Sequence, residues 1–166
     1  MGLPIEGDTR MALEDARLAL RKTIIITLKG SFEPDWFFNS RSGLLVQEWF
    51  QYQIAKNARR VEPGTKFKLS IFDVVGDTYY DPIAREFGDN LFFDETAACA
   101  VVAKMIGRQE NGEAGYLDNT NKENILYLTN DRVVYVLWAE RCWHVYASGH
   151  QNVWLHPGVR ILCPCN

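Results

Sequence analysis

The stretch NILYLTNDRVVYVLWAERCWHVYASGHQNVWLHPGVRILC, Asn124 to Cys163, decides the fold. Its apolar residues recur with a period of two, which is the signature of strands and not of helices. The segments ILYLT, RVVYVLW, CWHVYAS, NVWLH and GVRILC follow one another at intervals of about nine or ten residues. They are separated by the turn-forming pieces ND, AER, SGHQ and PG, a spacing that predicts an antiparallel meander of about five strands.

Working back toward the N-terminus, KTIIITLKG reads as a β-branched strand ending at Gly30, and FKLSIFDVV as a second early strand. Asp8 is placed to cap a helix over 9–22, with Met11, Leu13, Ala16 and Leu20 on its apolar side. Between about Ser42 and Arg60 the period becomes helical and the apolar arc is wide, which predicts a deeply buried second helix. Asp94 caps a third helix, ETAACAVVAKMIG, ending at Gly107. One further helical turn is expected after Pro82. Residues 108–124 read as a long mobile loop. The expectation is a single α+β domain over 1–166. About three helices pack on a mainly antiparallel sheet, made of the C-terminal meander plus two earlier strands.

A chain of 166 residues can bury a core without metal or disulfide staples. With 47% apolar residues it is globular and not disordered. The formal net charge of −3 makes nucleic acid an unlikely partner, since binding would need a local basic patch. Such a patch, KNARRVEPGTKFK, is explained as well by a helix end followed by a lysine-protected edge strand. No segment has the length of a membrane span, and the N-terminal residues lack a signal-peptide core. The expectation is a cytoplasmic protein that engages no membrane and whose four cysteines are reduced thiols.

The tail holds all three histidines and three of the four cysteines. Cys142, His144, His150 and His156 form the alternative reading, a metal or thiol site. On a strand Cys142 and His144 share a face. Their backbones are about 7 Å apart, which argues against a direct hydrogen bond. The spacing contains no zinc knuckle, and cysteine in a strand behaves as a small buried apolar residue. Neither metal nor other cofactor is expected. Phosphate-binding glycine loops, a G-x-S-x-G elbow and an H-E-x-x-H pair are all missing from the sequence, so a non-catalytic reading is preferred to an enzyme.

Two features point to a protein partner. Between Asp73 and Glu95 seven acids stand against one base, and in this run Tyr79 and Tyr80 lie between Asp77 and Asp81. The meander is rich in large amphipathic rings, including Trp138, Trp143, Tyr146 and Trp154, the types that interfaces favour. Both faces of its middle strands are apolar, so both must be covered, by helices or by a ligand or partner. The expected function is protein binding by an acidic domain of inhibitor, immunity or adaptor type, directed at a basic surface. The candidate contact residues are Asp77, Tyr79, Tyr80, Asp81, Trp138, Trp143, Tyr146 and Trp154.

Overall fold

The computed structural model describes residues 14–40, 43–149 and 153–165. The strands are β1 (Leu18–Thr27), β2 (Leu44–Val46), β3 (Lys66–Val74), β4 (Phe92–Phe93), β5 (Asn124–Leu128), β6 (Arg132–Ala139), β7 (Cys142–Ser148) and β8 (Arg160–Pro164). The helices are α1 (Pro34–Ser40), α2 (Glu48–Gln53), α3 (Tyr80–Phe87) and α4 (Glu95–Arg108), and short 3-10 turns follow α2 and α3. All strands belong to one sheet in the order β1-β3-β8-β5-β6-β7-β2, with β4 pairing on β5.

The fold is α+β, but the sheet is mixed. Strands β5, β6 and β7 form an antiparallel meander. The expected fourth strand, NVWLH, is only a two-residue bridge between Thr78 and Leu155. That detour lets β8 return beside β5 in parallel and join it to β3. β2 is likewise parallel to β7, and β4 to β5. The meander of about five strands is therefore cut to three, while the four helices among the described residues are close to the expected number of about three.

Two of the expected helices give way to strands over part of their length, where pairing outweighs local periodicity. Arg17 adopts a left-handed backbone with φ of 58°, which ends the turn at Glu14 and turns the chain into β1. Leu18 then pairs with Val74, and Leu20, assigned to a helical core face, is exposed. Residues 9–13 of that expected helix lie outside the described residues. Over 42–60, Leu44–Val46 pair with β7, and the Gln47 side chain accepts from Ala147 N–H at 2.8 Å. Only Glu48–Gln53 remain α-helical, so the wide apolar arc belonged to two elements with different directions. The α4 expectation agrees with the structure. The Asp94 carboxylate accepts from Ala97 N–H at 2.7 Å, and the small residues Ala98, Ala100 and Ala103 let the helix sit close to the sheet.

The sheet is buried from both sides. On one face Ile26, Leu69, Ile71, Leu126, Val136 and Trp143 pack under α1, α2 and α4. On the other, Phe72, Ile125, Tyr127 and Ile161 pack under Ile83 and Phe87 of α3, together with Leu91, Leu155 and Val159. The apolar double face read in the sequence is thus largely filled by the chain itself. Loop 108–124 is pinned, not free. Gln109, 3% exposed, donates to the carbonyls of Glu113 and Leu117 and accepts from Leu117 N–H. Asn124, fully buried, does the same for Asp118 and Val136.

Candidate functional site

The segments 74–78 and 155–159 run antiparallel. Val74 N–H donates to Val159, Gly158 N–H donates to Val74, and Thr78 and Leu155 exchange both backbone bonds at 3.0 and 2.8 Å. Alternation along these two segments sends Thr78 and Leu155 inward, 2% and 3% exposed. Their neighbours point outward and meet across the pair. Tyr79 and Trp154 are in ring contact, centroids 5.1 Å apart and tilted by 48°. The Asp77 carboxylate meets His156 Nδ1 at 3.0 Å. The bridge that replaces the expected fourth strand therefore assembles four residues singled out by sequence: Asp77, Tyr79, Trp154 and His156.

Trp154 is 64% exposed, and Val75 and Val153 add exposed apolar surface on the same two segments. Asp81, in the first turn of α3, borders an open hollow with Tyr79, Ala84 and Arg85. Tyr80 turns the other way, its ring against Tyr127 at 5.4 Å. Burial, with Asp131 and Asp81 nearby, raises its phenol above the ordinary tyrosine range.

The acidic run contributes fewer free charges than its composition implies. Asp73 is held by Arg21 and Arg160, Asp94 caps α4, and Glu95 pairs with Arg132. Asp77, Asp81, Glu86 and Asp89 are left on the outer side, and burial raises the Glu86 carboxyl above its usual range.

The remaining ring candidates lie elsewhere. Trp143 is fully buried, so it has no surface to offer a partner; Trp138 meets it edge-on at 5.3 Å in the helix-covered layer. Tyr146 is half-buried on the opposite face and stacks on Tyr135, centroids 4.9 Å apart. The sequence signal that separates these residues is alternation: in β7 the odd-numbered side chains Trp143, Val145 and Ala147 face the layer of α1, α2 and α4, and Tyr146 faces the opposite layer.

Cys142 and His144 come closer than backbone spacing suggests, with Sγ and Nε2 3.5 Å apart. Both side chains lean toward the Ala139 carbonyl, which lies 3.1 Å from Nε2. A carbonyl only accepts, so Nε2 carries the proton and cannot take one from the thiol. Burial, and then Glu140, raises the Cys142 thiol above its ordinary value, the opposite of an activated nucleophile. His156 lies apart at Asp77, and His150 lies outside the described residues. Among the described residues no three His, Cys, Asp or Glu side chains converge as a metal site.

A second open hollow, of about 470 Å³, lies between α1, β2 and α2. Asp35 on its wall is already bonded to Asn39 and Gln51, and the ring of Tyr52 is capped by the Lys56 ammonium at 5.6 Å. Asp35 and Tyr52 are thus already engaged within the chain, while the buried Gln51 Oε1 has no hydrogen-bond partner among the described residues. Sequence reasoning gave these residues to a single buried helix and so missed that Trp49 and Tyr52 are exposed. Among the described residues no helix is long and apolar enough to cross a membrane. Comparison of the chain with protein-family models, with curated proteins and with solved structures finds no match in any of the three.

Proposed function

We propose that this chain is a non-catalytic protein-binding domain of inhibitor, immunity or adaptor type. Tyr79 and Trp154, flanked by Asp77 and Asp81, form its contact with a basic partner surface. The observation that carries this reading is the ring contact between exposed Trp154 and half-buried Tyr79 on a backbone-paired base. Two rings already held together lose little side-chain freedom on binding, which is the property of interface anchors. Carboxylates beside such an anchor speed encounter with a basic surface more than they tighten the final complex.

The test uses a partner captured from the native cell, with association measured at low and high salt. Trp154→Ala is expected to weaken binding at least about 30-fold, as hot-spot rings do. Asp77→Lys/Asp81→Lys is expected to slow association about tenfold or more at low salt, with dissociation changed less. Unchanged association of the charge-reversed variant at both salt concentrations, with binding unchanged in Trp154→Ala, overturns the assignment of this surface.

A further inference from the structure

We infer that β1 is a self-pairing edge: two copies of this chain join antiparallel through Thr23–Thr27, about a twofold axis at Ile25, to form one continuous sheet. Among the described residues β1 ends the sheet on one side, paired only with β3. Its backbone directions follow from two independent bonds. Leu28 N–H donates inward to Thr65, and Cys165 N–H takes the Lys68 carbonyl on the far side of β3. Antiparallel ladders alternate, so Ile24 and Ile26 bond inward to Leu69 and Phe67. Thr23, Ile25 and Thr27 then direct their N–H and C=O groups outward, and no strand among the described residues meets them.

The sequence of this edge, Thr-Ile-Ile-Ile-Thr, reads the same in both directions about Ile25. Antiparallel pairing with a second copy sets Ile25 against Ile25, Ile24 against Ile26 and Thr23 against Thr27. About six backbone bonds form, and the threonine and isoleucine pairs are ones that sheets favour. The Ile25 side chain, 58% exposed in the single chain, is covered by its own copy. A twofold contact of this kind closes on itself and leaves no further long edge to propagate.

Cations on edge strands normally ward off a second strand. Here the two at the N-terminal end of β1 are turned back onto their own chain. Arg21 is bonded to Asp73 at 3.0 Å, and the Lys22 ammonium sits over the Tyr116 ring. The irregularity between Leu20 and Lys22 limits the straight, pairable stretch to the palindromic residues. Edge pairing over five residues covers less than the roughly 1,200 Å² of a tight complex. The dimer is accordingly in the micromolar range and depends on concentration.

Sedimentation equilibrium from about 1 µM to about 1 mM is expected to show a monomer–dimer equilibrium in the native chain and a monomer throughout in Ile25→Lys, which sets like charges on the axis. Mild oxidation of Ile25→Cys is expected to give a dimer linked at position 25, because bonded pairs across a ladder lie about 5.5 Å apart. Thr23→Cys alone is expected not to link through position 23, whereas a mixture of Thr23→Cys with Thr27→Cys gives the mixed 23–27 product. Peptide mass spectrometry separates these links from the native cysteines. A native chain monomeric at about 1 mM, or a dimer unaffected by Ile25→Lys and lacking the position-25 link, overturns the inference. So does a chain that dimerises through Thr23–Thr27 only after residues 1–13 are deleted, since that segment would then be the occupant of the edge.

Discussion

The indole N–H of Trp143 donates to the backbone carbonyl of Gln109 at 2.7 Å, tying the start of β7 to the C-terminal cap of α4. Helix ends leave carbonyls without partners, and this one is closed by a buried side chain from the sheet. Trp143→Phe removes the donor and opens a small void, and is expected to cost about 2–4 kcal/mol. Trp138→Phe, at a half-buried ring to which no hydrogen bond is assigned, is expected to cost about 1 kcal/mol. Urea unfolding of the two variants checks the ranking; equal losses would show that packing alone, and not the bond, fixes this position.

The turn joining β6 to β7 is built from Glu140 and Arg141, with φ of 52° and 65°. Two positive φ values in succession are the mark of the tight hairpin turn that favours Asn-Gly. The β5–β6 turn satisfies this more closely with Asn130 and Asp131. Replacing Glu140 and Arg141 by Asn and Gly is expected to raise stability by about 0.5–1 kcal/mol. Thermal unfolding measures it, and a lowered midpoint would mean that these side chains make compensating contacts.

All four cysteines are free, but they differ in access. Cys99 and Cys163 are buried, and burial raises both thiols well above the ordinary range. Cys142 and Cys165 are half-buried. Two thiols are expected to react with a small thiol reagent in the native protein, Cys142 slowly because its own thiol is also raised. Four are expected after denaturation without reductant. Recovery of only two after denaturation would indicate a disulfide.

Burial, followed by the Glu123 carboxylate and Tyr135, pushes the Tyr146 phenol up to about 12 from 10.0. Tyr135 is raised too, by burial and then by Glu123. A phenol held neutral in the folded state but free to ionise when unfolded favours folding fully below about pH 10. That contribution is lost as pH rises toward 12. Stability is therefore expected to fall between about pH 10 and 12, less steeply in Tyr146→Phe. A urea midpoint that stays constant across this window would contradict it.

What could be read in the sequence divides along a physical line. The strands β3 and β5–β7 and helix α4 announced themselves because local periodicity and final burial agree in them. At Leu18–Lys22 and Leu44–Val46 they do not agree. Those residues have helix-compatible patterns, and they become strands because Val74 and Trp143–Val145 offer unpaired neighbours. Mixed polarity was not legible for a related reason. The NVWLH segment alternates like a strand, yet Asp77, Thr78 and Tyr79 capture it at the sheet's face. That same capture put Tyr79 and Trp154 together, a meeting of residues 75 positions apart that no local pattern encodes. Trp143 stands among the candidate contact rings because β7 is aromatic on both sides, and the position of α4 is what buries one of them.

The placement of β8 has a consequence for the order in which the molecule can be made. It lies between β3 and β5, and among the described residues no strand pairing joins β1–β3 to β5–β7 without it. During synthesis the first hairpin-like pair and the later meander emerge as two separate half-sheets. Each has an unfilled edge until residues 160–164 leave the ribosome. The centre of the sheet is its last-made part, and its long-range closure is the slow kind of step. Until then the inner edges of β3 and β5 stand open to a holding chaperone or a neighbouring nascent chain, in addition to the outer edge of β1.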